Sequence, residues 1–160
     1  MLRRFGNDRV RVTALTLLRV VTGVIFMAHG GQKLLDPAGT AATFGQMGIP
    51  APEVAVWLAI AGELLGGLGL LLGLLTPIAA LGSLCVMLAA ILFVHLGHGL
   101  FAQNQGWEYP LTLLLVALFF VVHGAGPVSV DAAIGRRRRG ARGAPAEREP
   151  MSPQRQVGAH

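Results

Sequence analysis

The sequence has few charged residues, and the middle of the chain has almost none. Asp, Glu, Lys and Arg make up 13% of the 160 residues, whereas a soluble domain carries about 25%. No Lys or Arg lies between Lys33 and Arg136. The net charge of +5 therefore comes from basic ends around an apolar middle. This distribution is typical of membrane topology, whereas a nucleic-acid-binding protein has a basic face on a folded domain. We expect an integral membrane protein that does not bind nucleic acid.

Cysteine is also scarce, since Cys85 is the only one. A single cysteine excludes an internal disulfide, and no Cys-x-x-Cys pair is present for thiol redox chemistry or metal binding. Cys85 lies inside an apolar segment, where a free cysteine behaves as a small hydrophobic residue. The sequence thus gives it no chemical role.

Four apolar runs predict four helices that cross a hydrocarbon core of about 30 Å. The predicted spans cover residues 12–30, 53–75, 77–99 and 108–124. The first run is longer than the apolar region of a typical signal peptide, so we expect it to remain as a span. After it, Pro37 favours the start of a short interfacial helix. Thr76-Pro77 leaves room only for a tight turn, which makes the second and third spans antiparallel neighbours.

The basic ends predict how the chain is oriented. An even number of spans puts both ends on one side, and the positive-inside rule places that side in the cytoplasm. The prediction is an all-α, integral membrane four-helix bundle with both termini cytoplasmic. The expected membrane domain covers residues 12–134, between a basic arm at 1–11 and a basic disordered tail at 135–160. We expect Arg136–Arg139 in the tail to bind anionic lipids.

Glu63 is the only charged residue in the apolar run from Val54 to Leu75. A carboxylate at the centre of a span costs roughly 2.5–3.5 kcal/mol to insert, so it normally faces a partner or a wet cavity. It lies beside a stripe of small residues that lets another helix approach closely. The stripe consists of Ala55, Ala59, Gly62, Gly66, Gly69 and Gly73. Arg19, in the first span, is the predicted partner of Glu63, and the two would form a buried polar seam.

A second polar group is predicted at the outer ends of the spans. Its members are His29, Lys33, His95, His98 and Glu108. Three imidazoles and a carboxylate at one level could bind a metal or exchange protons near neutral pH. Alternatively, these side chains reach into the headgroup layer and satisfy nearby carbonyl groups. The second interpretation requires no fixed third ligand, and we therefore predict no metal site.

Four motifs follow one another along the chain. They are Leu18-Arg19 leading through Gly23 to Phe26-Met27-Ala28-His29-Gly30-Gly31-Gln32-Lys33; Phe44-Gly45-Gln46-Met47-Gly48-Ile49-Pro50; Gly62-Glu63-Leu64-Leu65-Gly66-Gly67 followed by Gly73-Leu74-Leu75-Thr76; and Glu108-Tyr109 with Gly124-Ala125-Gly126-Pro127-Val128-Ser129-Val130-Asp131. In this order and spacing, over residues 12–134, the motifs resemble the DoxX family of small four-span bacterial membrane proteins.

The resemblance implies a multi-pass bundle in the bacterial plasma (inner) membrane and membership of a group described as oxidoreductases. Members of the group include a subunit of a thiosulfate:quinone oxidoreductase. The family's polar positions correspond to Arg19, His29, Lys33, Glu63 and His95. The chain contains no flavin, nicotinamide or iron–sulfur motif of its own. A redox role would therefore need a soluble redox partner or a lipid-soluble cofactor such as quinone.

Three functions remain open from the sequence. The first is a membrane subunit of a redox, quinone-linked complex, which the resemblance favours. The second is a small-molecule or proton carrier that uses Glu63 and the histidines as a relay. The third is a non-catalytic membrane scaffold or assembly factor, in which the buried charges only hold the helices together. Residue spacing alone does not choose among them.

Overall fold

The computed structural model describes residues 8–142, and in this range the chain forms helices and no β-strand. The helices are α1 (Asp8–Leu35), α2 (Pro37–Gln46), α3 (Pro52–Leu72), α4 (Thr76–Ala90), α5 (Glu108–His123) and α6 (Val130–Arg142). A π turn (Ile91–His95) and a 3-10 turn (Leu96–His98) continue α4, and a second 3-10 turn (Ala102–Asn104) precedes α5. Most of the predicted basic arm and the end of the predicted tail, residues 1–7 and 143–160, lie outside the described residues.

The lengths of the helices confirm an all-α membrane bundle. Within residues 8–142, three helices are long and apolar enough to cross a membrane: Asp8–Leu35, Pro52–Leu72 and Thr76–His98. The apolar α5 has 16 residues and rises about 24 Å, which is less than the hydrocarbon core of about 30 Å. A crossing by α5 and the cytoplasmic location of the termini therefore stay predictions.

The helices pack around α3, which lies between α1 and α4, while α4 also packs against α5 and α2 rests on α3. One set of apolar side chains fills the interior: Phe26, Leu70, Ala80, Met87, Leu113 and Phe120. The outward faces carry large apolar residues such as Leu65 and Val122, which are 67% and 82% exposed. Such faces are suited to contact with lipid.

Small residues bring α3 close to both of its neighbours. A Cβ added to Gly23 on α1 would lie 2.7 Å from the Gly67 carbonyl oxygen, and one added to Gly67 would lie 2.7 Å from the Gly23 oxygen. On the other side of α3, a Cβ on Gly62 would lie 2.5 Å from Cγ2 of Val86. The predicted small-residue stripe therefore faces α4 at Gly62 and Gly66, and Gly67 opens a second close contact with α1.

One end of the bundle, which we call the α6 end, carries the turn between α3 and α4 together with α6. Here the Asp131 carboxylate accepts hydrogen bonds from the backbone N–H groups of Leu75 (2.9 Å) and Thr76 (3.1 Å). The Asp131 N–H donates to the Gly73 oxygen at 3.0 Å. Asp131 thereby caps α4 and holds Leu75, whose φ of 47° is left-handed. The opposite end, with α2 and the loop before α5, is the α2 end.

Helix α6 reaches into the range of the predicted tail. Ser129 Oγ accepts a hydrogen bond from the Ala132 N–H at 3.1 Å, as an N-cap does. The helix then continues to Arg142, past residue 135, where the predicted tail begins. Arg136–Arg139 are exposed on this helix. The N-cap at Ser129 and the hydrogen bonds of Asp131 hold this helix at the α6 end.

Candidate functional site

Glu63 forms its ion pair with Lys33. The Lys33 ammonium donates to Oε1 at 2.8 Å and to Oε2 at 2.7 Å. The Glu63 side chain is 3% exposed, and that of Lys33 is 23% exposed. A helical Cα–Cβ bond leans toward the N-terminus of its helix. The Lys33 side chain therefore reaches back along α1, from the α2 end toward the middle of α3.

The predicted ion pair between Arg19 and Glu63 is wrong. The Arg19 side chain is buried, but its Nη1 donates to the carbonyl oxygens of Leu70 (2.6 Å) and Leu71 (3.3 Å), and its Nη2 donates to that of Val128 (2.8 Å). Glu63 lies seven residues before Leu70, about 10 Å along α3. Arg19 instead donates to carbonyl groups in the last turn of α3, where a positive charge is favourable, and to that of Val128 before α6.

A second region of the bundle differs in character from the Arg19 site. A cavity of about 670 Å³ lies between α3 and α4, and the Lys33–Glu63 pair forms part of its wall. We call this cavity the α3–α4 cleft. Phe44, Met47 and Ile49, from α2 and the residues after it, line it at the α2 end. The titratable residues of the cleft wall are Lys33, Glu63, His95 and Cys85. The other lining residues are apolar.

Lys33 has hydrogen-bonding capacity beyond its ion pair. An ammonium group carries three N–H donors, and the contacts with Glu63 use two of them. The third has no acceptor among the described residues, and the partly exposed Lys33 side chain lines the cleft. The cleft wall therefore contains a free N–H donor of Lys33, whose positive charge is already neutralised by Glu63.

His95 lies at the other polar position of the cleft, in the π turn that follows α4. Its Nδ1 is 2.6 Å from the Gln105 carbonyl oxygen. Because a carbonyl oxygen only accepts, Nδ1 must carry the hydrogen, and in the neutral ring Nε2 is left as an acceptor. Single π turns within α-helices occur frequently at functional sites. Sequence spacing does not reveal this π turn.

The other predicted members of the outer polar group do not join the cleft. The ring centroid of His29 is 6.2 Å from the ring centroid of Tyr109 on α5. Glu108 accepts a hydrogen bond from the Ala102 N–H at 2.6 Å and so stabilises the loop before α5. His98 is exposed in its 3-10 turn. Across the range 8–142, no three His, Cys, Asp or Glu side chains come together in a group that could hold a metal.

Comparisons with known proteins agree with this architecture. The family model described as DoxX matches residues 14–96, from α1 through the π turn. A Bacillus subtilis (strain 168) protein named "Putative oxidoreductase CatD" is 35% identical over 115 residues, which cover 72% of this chain and 82% of that protein. No solved structure matches the chain.

Two further relatives are similar over most of their length. A Haemophilus influenzae protein named "Uncharacterized protein" is 34% identical over 128 residues, covering 78% of this chain and 92% of the relative. The Mycobacterium tuberculosis "Uncharacterized membrane protein Rv3486" is 29% identical over 131 residues, covering 75% and 80%. These alignments extend beyond the residues that the family model matches.

Proposed function

Because this chain belongs to the DoxX family of membrane proteins, we propose that it is the membrane subunit of a redox complex in the bacterial plasma membrane, and that the α3–α4 cleft binds the headgroup of a quinone. The observation that carries this proposal is the cleft itself, with an ion pair and a histidine in an otherwise apolar wall. Ligand sites typically have this composition and a volume of about 300–1,000 Å³.

The polar groups of the cleft suit the two oxygens of a quinone ring. The free N–H of Lys33 can donate to a carbonyl oxygen, and Nε2 of His95 can accept from a hydroxyl group of the reduced form. The Lys33–Glu63 pair stays neutral overall, so a neutral headgroup meets no uncompensated charge. A bound quinone would supply two-electron, two-proton redox chemistry, and a soluble redox partner would complete the electron path.

The name of the Bacillus subtilis relative, "Putative oxidoreductase CatD", supports a redox role in the same group of proteins. The carrier interpretation uses the same residues but predicts proton flux without a partner. The Lys33–Glu63 pair favours the redox interpretation over a relay, because both oxygens of Glu63 are already bound by one cation. Proton flux in liposomes under a pH gradient, with no partner present, would contradict this preference.

The proposal is tested by the quinone content of protein extracted together with its native lipid. We expect quinone to co-purify with the wild-type protein and to be depleted in an Ala90→Phe variant, because Ala90 lines the cleft. Ala28→Phe is the matched control, since Ala28 is exposed on α1 and does not line the cleft. Equal quinone content in both variants would overturn the proposal.

Cys85 provides an independent measurement, because it is the only cysteine and lines the cleft. A quinone at about ten times its Kd should slow labelling of Cys85 by a maleimide roughly tenfold, by mass action. The control is a Cys85→Ala, Val122→Cys variant, which moves the thiol to the exposed face of α5. Its labelling should be unchanged, and equal slowing at both positions would indicate a non-specific effect of quinone in the bilayer.

A further inference from the structure

A second cavity continues the α3–α4 cleft toward the α6 end. It has a volume of about 370 Å³ and lies between the same two helices. Ala61, Gly62 and Gly82 line both cavities, so the two meet at these residues. From Gly62 the second cavity follows α3 to Leu72, a distance of about 15 Å. We call it the tail groove.

The tail groove is apolar along its whole length and open to the lipid. It is lined only by Ala, Gly, Leu and Ile residues. Leu65 on α3 and Ile78 on α4 stand at its edges and are 67% and 69% exposed. The polar groups of the combined cavity are thus confined to the cleft. This distribution matches an amphiphile with a polar head and one long apolar chain.

Gly82 lies where the two cavities meet. A Cβ on Gly82 would lie 3.7 Å from the Gly62 Cα, which is an ordinary contact distance. In contrast, a Cβ on Gly62 would lie 2.5 Å from the Val86 side chain. Space for a Cβ therefore remains on the Gly82 side, and a larger side chain there would narrow the passage.

We propose that the tail groove holds the hydrocarbon tail of the ligand whose headgroup lies in the cleft, and that the protein therefore selects a long-chain, isoprenoid-type quinone over a tailless one. This inference rests on the proposed function. The continuity of the groove with the polar cleft favours this occupant over a helix of a second protein copy, which would bring no headgroup to the cleft.

The test compares two quinones with the same headgroup, one with a ten-carbon tail and one without a tail. Binding to the protein in nanodiscs is measured against quinone concentration in the lipid phase, which removes the effect of partitioning. We expect the wild-type protein to bind the tailed quinone about tenfold more tightly. In Gly82→Val the ratio of the two affinities should fall to about one. Because Gly82 also lines the cleft, any change in headgroup binding would affect both quinones and leave this ratio unaltered.

Gly31→Val is the matched control, because a Cβ at Gly31 has no atom within 4 Å and the change in helix propensity is identical. It should keep the tenfold preference. Equal affinity of the wild-type protein for both quinones, or an unchanged preference in Gly82→Val, would overturn the tail proposal alone. Failure of both quinones to bind would overturn the headgroup site and the tail proposal together. Displacement of the tailed quinone by an equal mole fraction of a long-chain alkane would show a general lipid groove and would also overturn the tail proposal.

Discussion

Lys33, near the last turn of α1, donates to both carboxylate oxygens of Glu63, which lies at the middle of α3. The pair joins two antiparallel helices whose backbones are in close contact, since a Cβ at Gly30 would lie 2.9 Å from the Cβ of Glu63. The geometry also puts a charged group at the wall of the α3–α4 cleft without leaving a net charge there. Stability and the proposed ligand binding therefore depend on the same two side chains.

Removing Lys33 should cost more stability than removing the charge of Glu63. Lys33→Met leaves a carboxylate with 3% exposure unpaired, and we expect a loss of about 3–5 kcal/mol. Glu63→Gln leaves an ammonium on a flexible stem with 23% exposure, which can move toward water. Replacing both residues, as Lys33→Met with Glu63→Leu, should recover most of the loss, because an apolar pair avoids desolvation of charge. Thermal unfolding in lipid nanodiscs measures each value, and a double variant less stable than Lys33→Met would contradict this account.

Arg19 should be energetically independent of Glu63. Arg19→Met removes the donor of the Val128 oxygen and one of the two donors of the Leu70 oxygen, and an oxygen left buried without a donor costs about 1–3 kcal/mol. Because the two residues share no partner, a double-mutant cycle between Arg19 and Glu63 should give a coupling within about 0.5 kcal/mol of zero. The same cycle between Lys33 and Glu63 is the positive control. A large coupling energy between Arg19 and Glu63 would instead support the ion pair predicted from the sequence.

Adding one methyl group at Gly23 should destabilise the contact between α1 and α3. Gly23→Ala would place a Cβ 2.7 Å from the Gly67 oxygen, so the helices must separate. We expect a loss of more than about 1 kcal/mol, in the range of overpacked sites. Gly31→Ala meets open space, and its higher helix propensity should raise stability by about 0.5–1 kcal/mol. Thermal unfolding of the two variants side by side gives the comparison, and equal effects would contradict the close packing.

Asp131 should hold α6 to the turn between α3 and α4. Asp131→Ala removes the acceptor for the Leu75 and Thr76 N–H groups, and loss of such a cap costs about 0.5–2 kcal/mol. Faster hydrogen exchange at both amides and faster proteolysis of α6 are the expected results. Ser129→Ala, which removes the cap of α6 alone, should leave exchange at Leu75 unchanged. Protection of Leu75 in Asp131→Ala would show that α6 is held in another way.

The exposed arginines of α6 should enrich anionic lipid around the protein. Each basic side chain near a membrane surface contributes about 1 kcal/mol. Changing Arg136–Arg139 to glutamine should therefore abolish most of the preference for phosphatidylglycerol over phosphatidylcholine, measured as lipid retained in mixed nanodiscs. Raising the salt concentration should weaken the wild-type preference in the same direction. An unchanged preference in the variant would place lipid selection elsewhere on the protein.

The polar residues show which part of the site could be predicted. Glu63, Arg19, Lys33 and His95 were recognisable because ionisable groups are rare in an apolar sequence. Their hydrogen-bonding partners could not be predicted. The height of a side chain along the bundle axis depends on the register between helices and on the direction of its Cα–Cβ bond. Lys33, assigned to the outer end, reaches inward to Glu63, while Arg19 lies at the C-terminal end of α3.

By itself, the sequence determined the helical class, the membrane environment and the small-residue faces, since composition and periodicity act locally along each helix. Only the tertiary structure decided the ion pair, the capping role of Asp131, the π turn at His95 and the cleft with its groove. Each of these depends on the distance between segments far apart in the chain, such as the 30 residues that separate Lys33 from Glu63. A local sequence pattern does not give such distances. They depend on the register between helices, which is set by packing contacts such as those of Gly23 with Gly67.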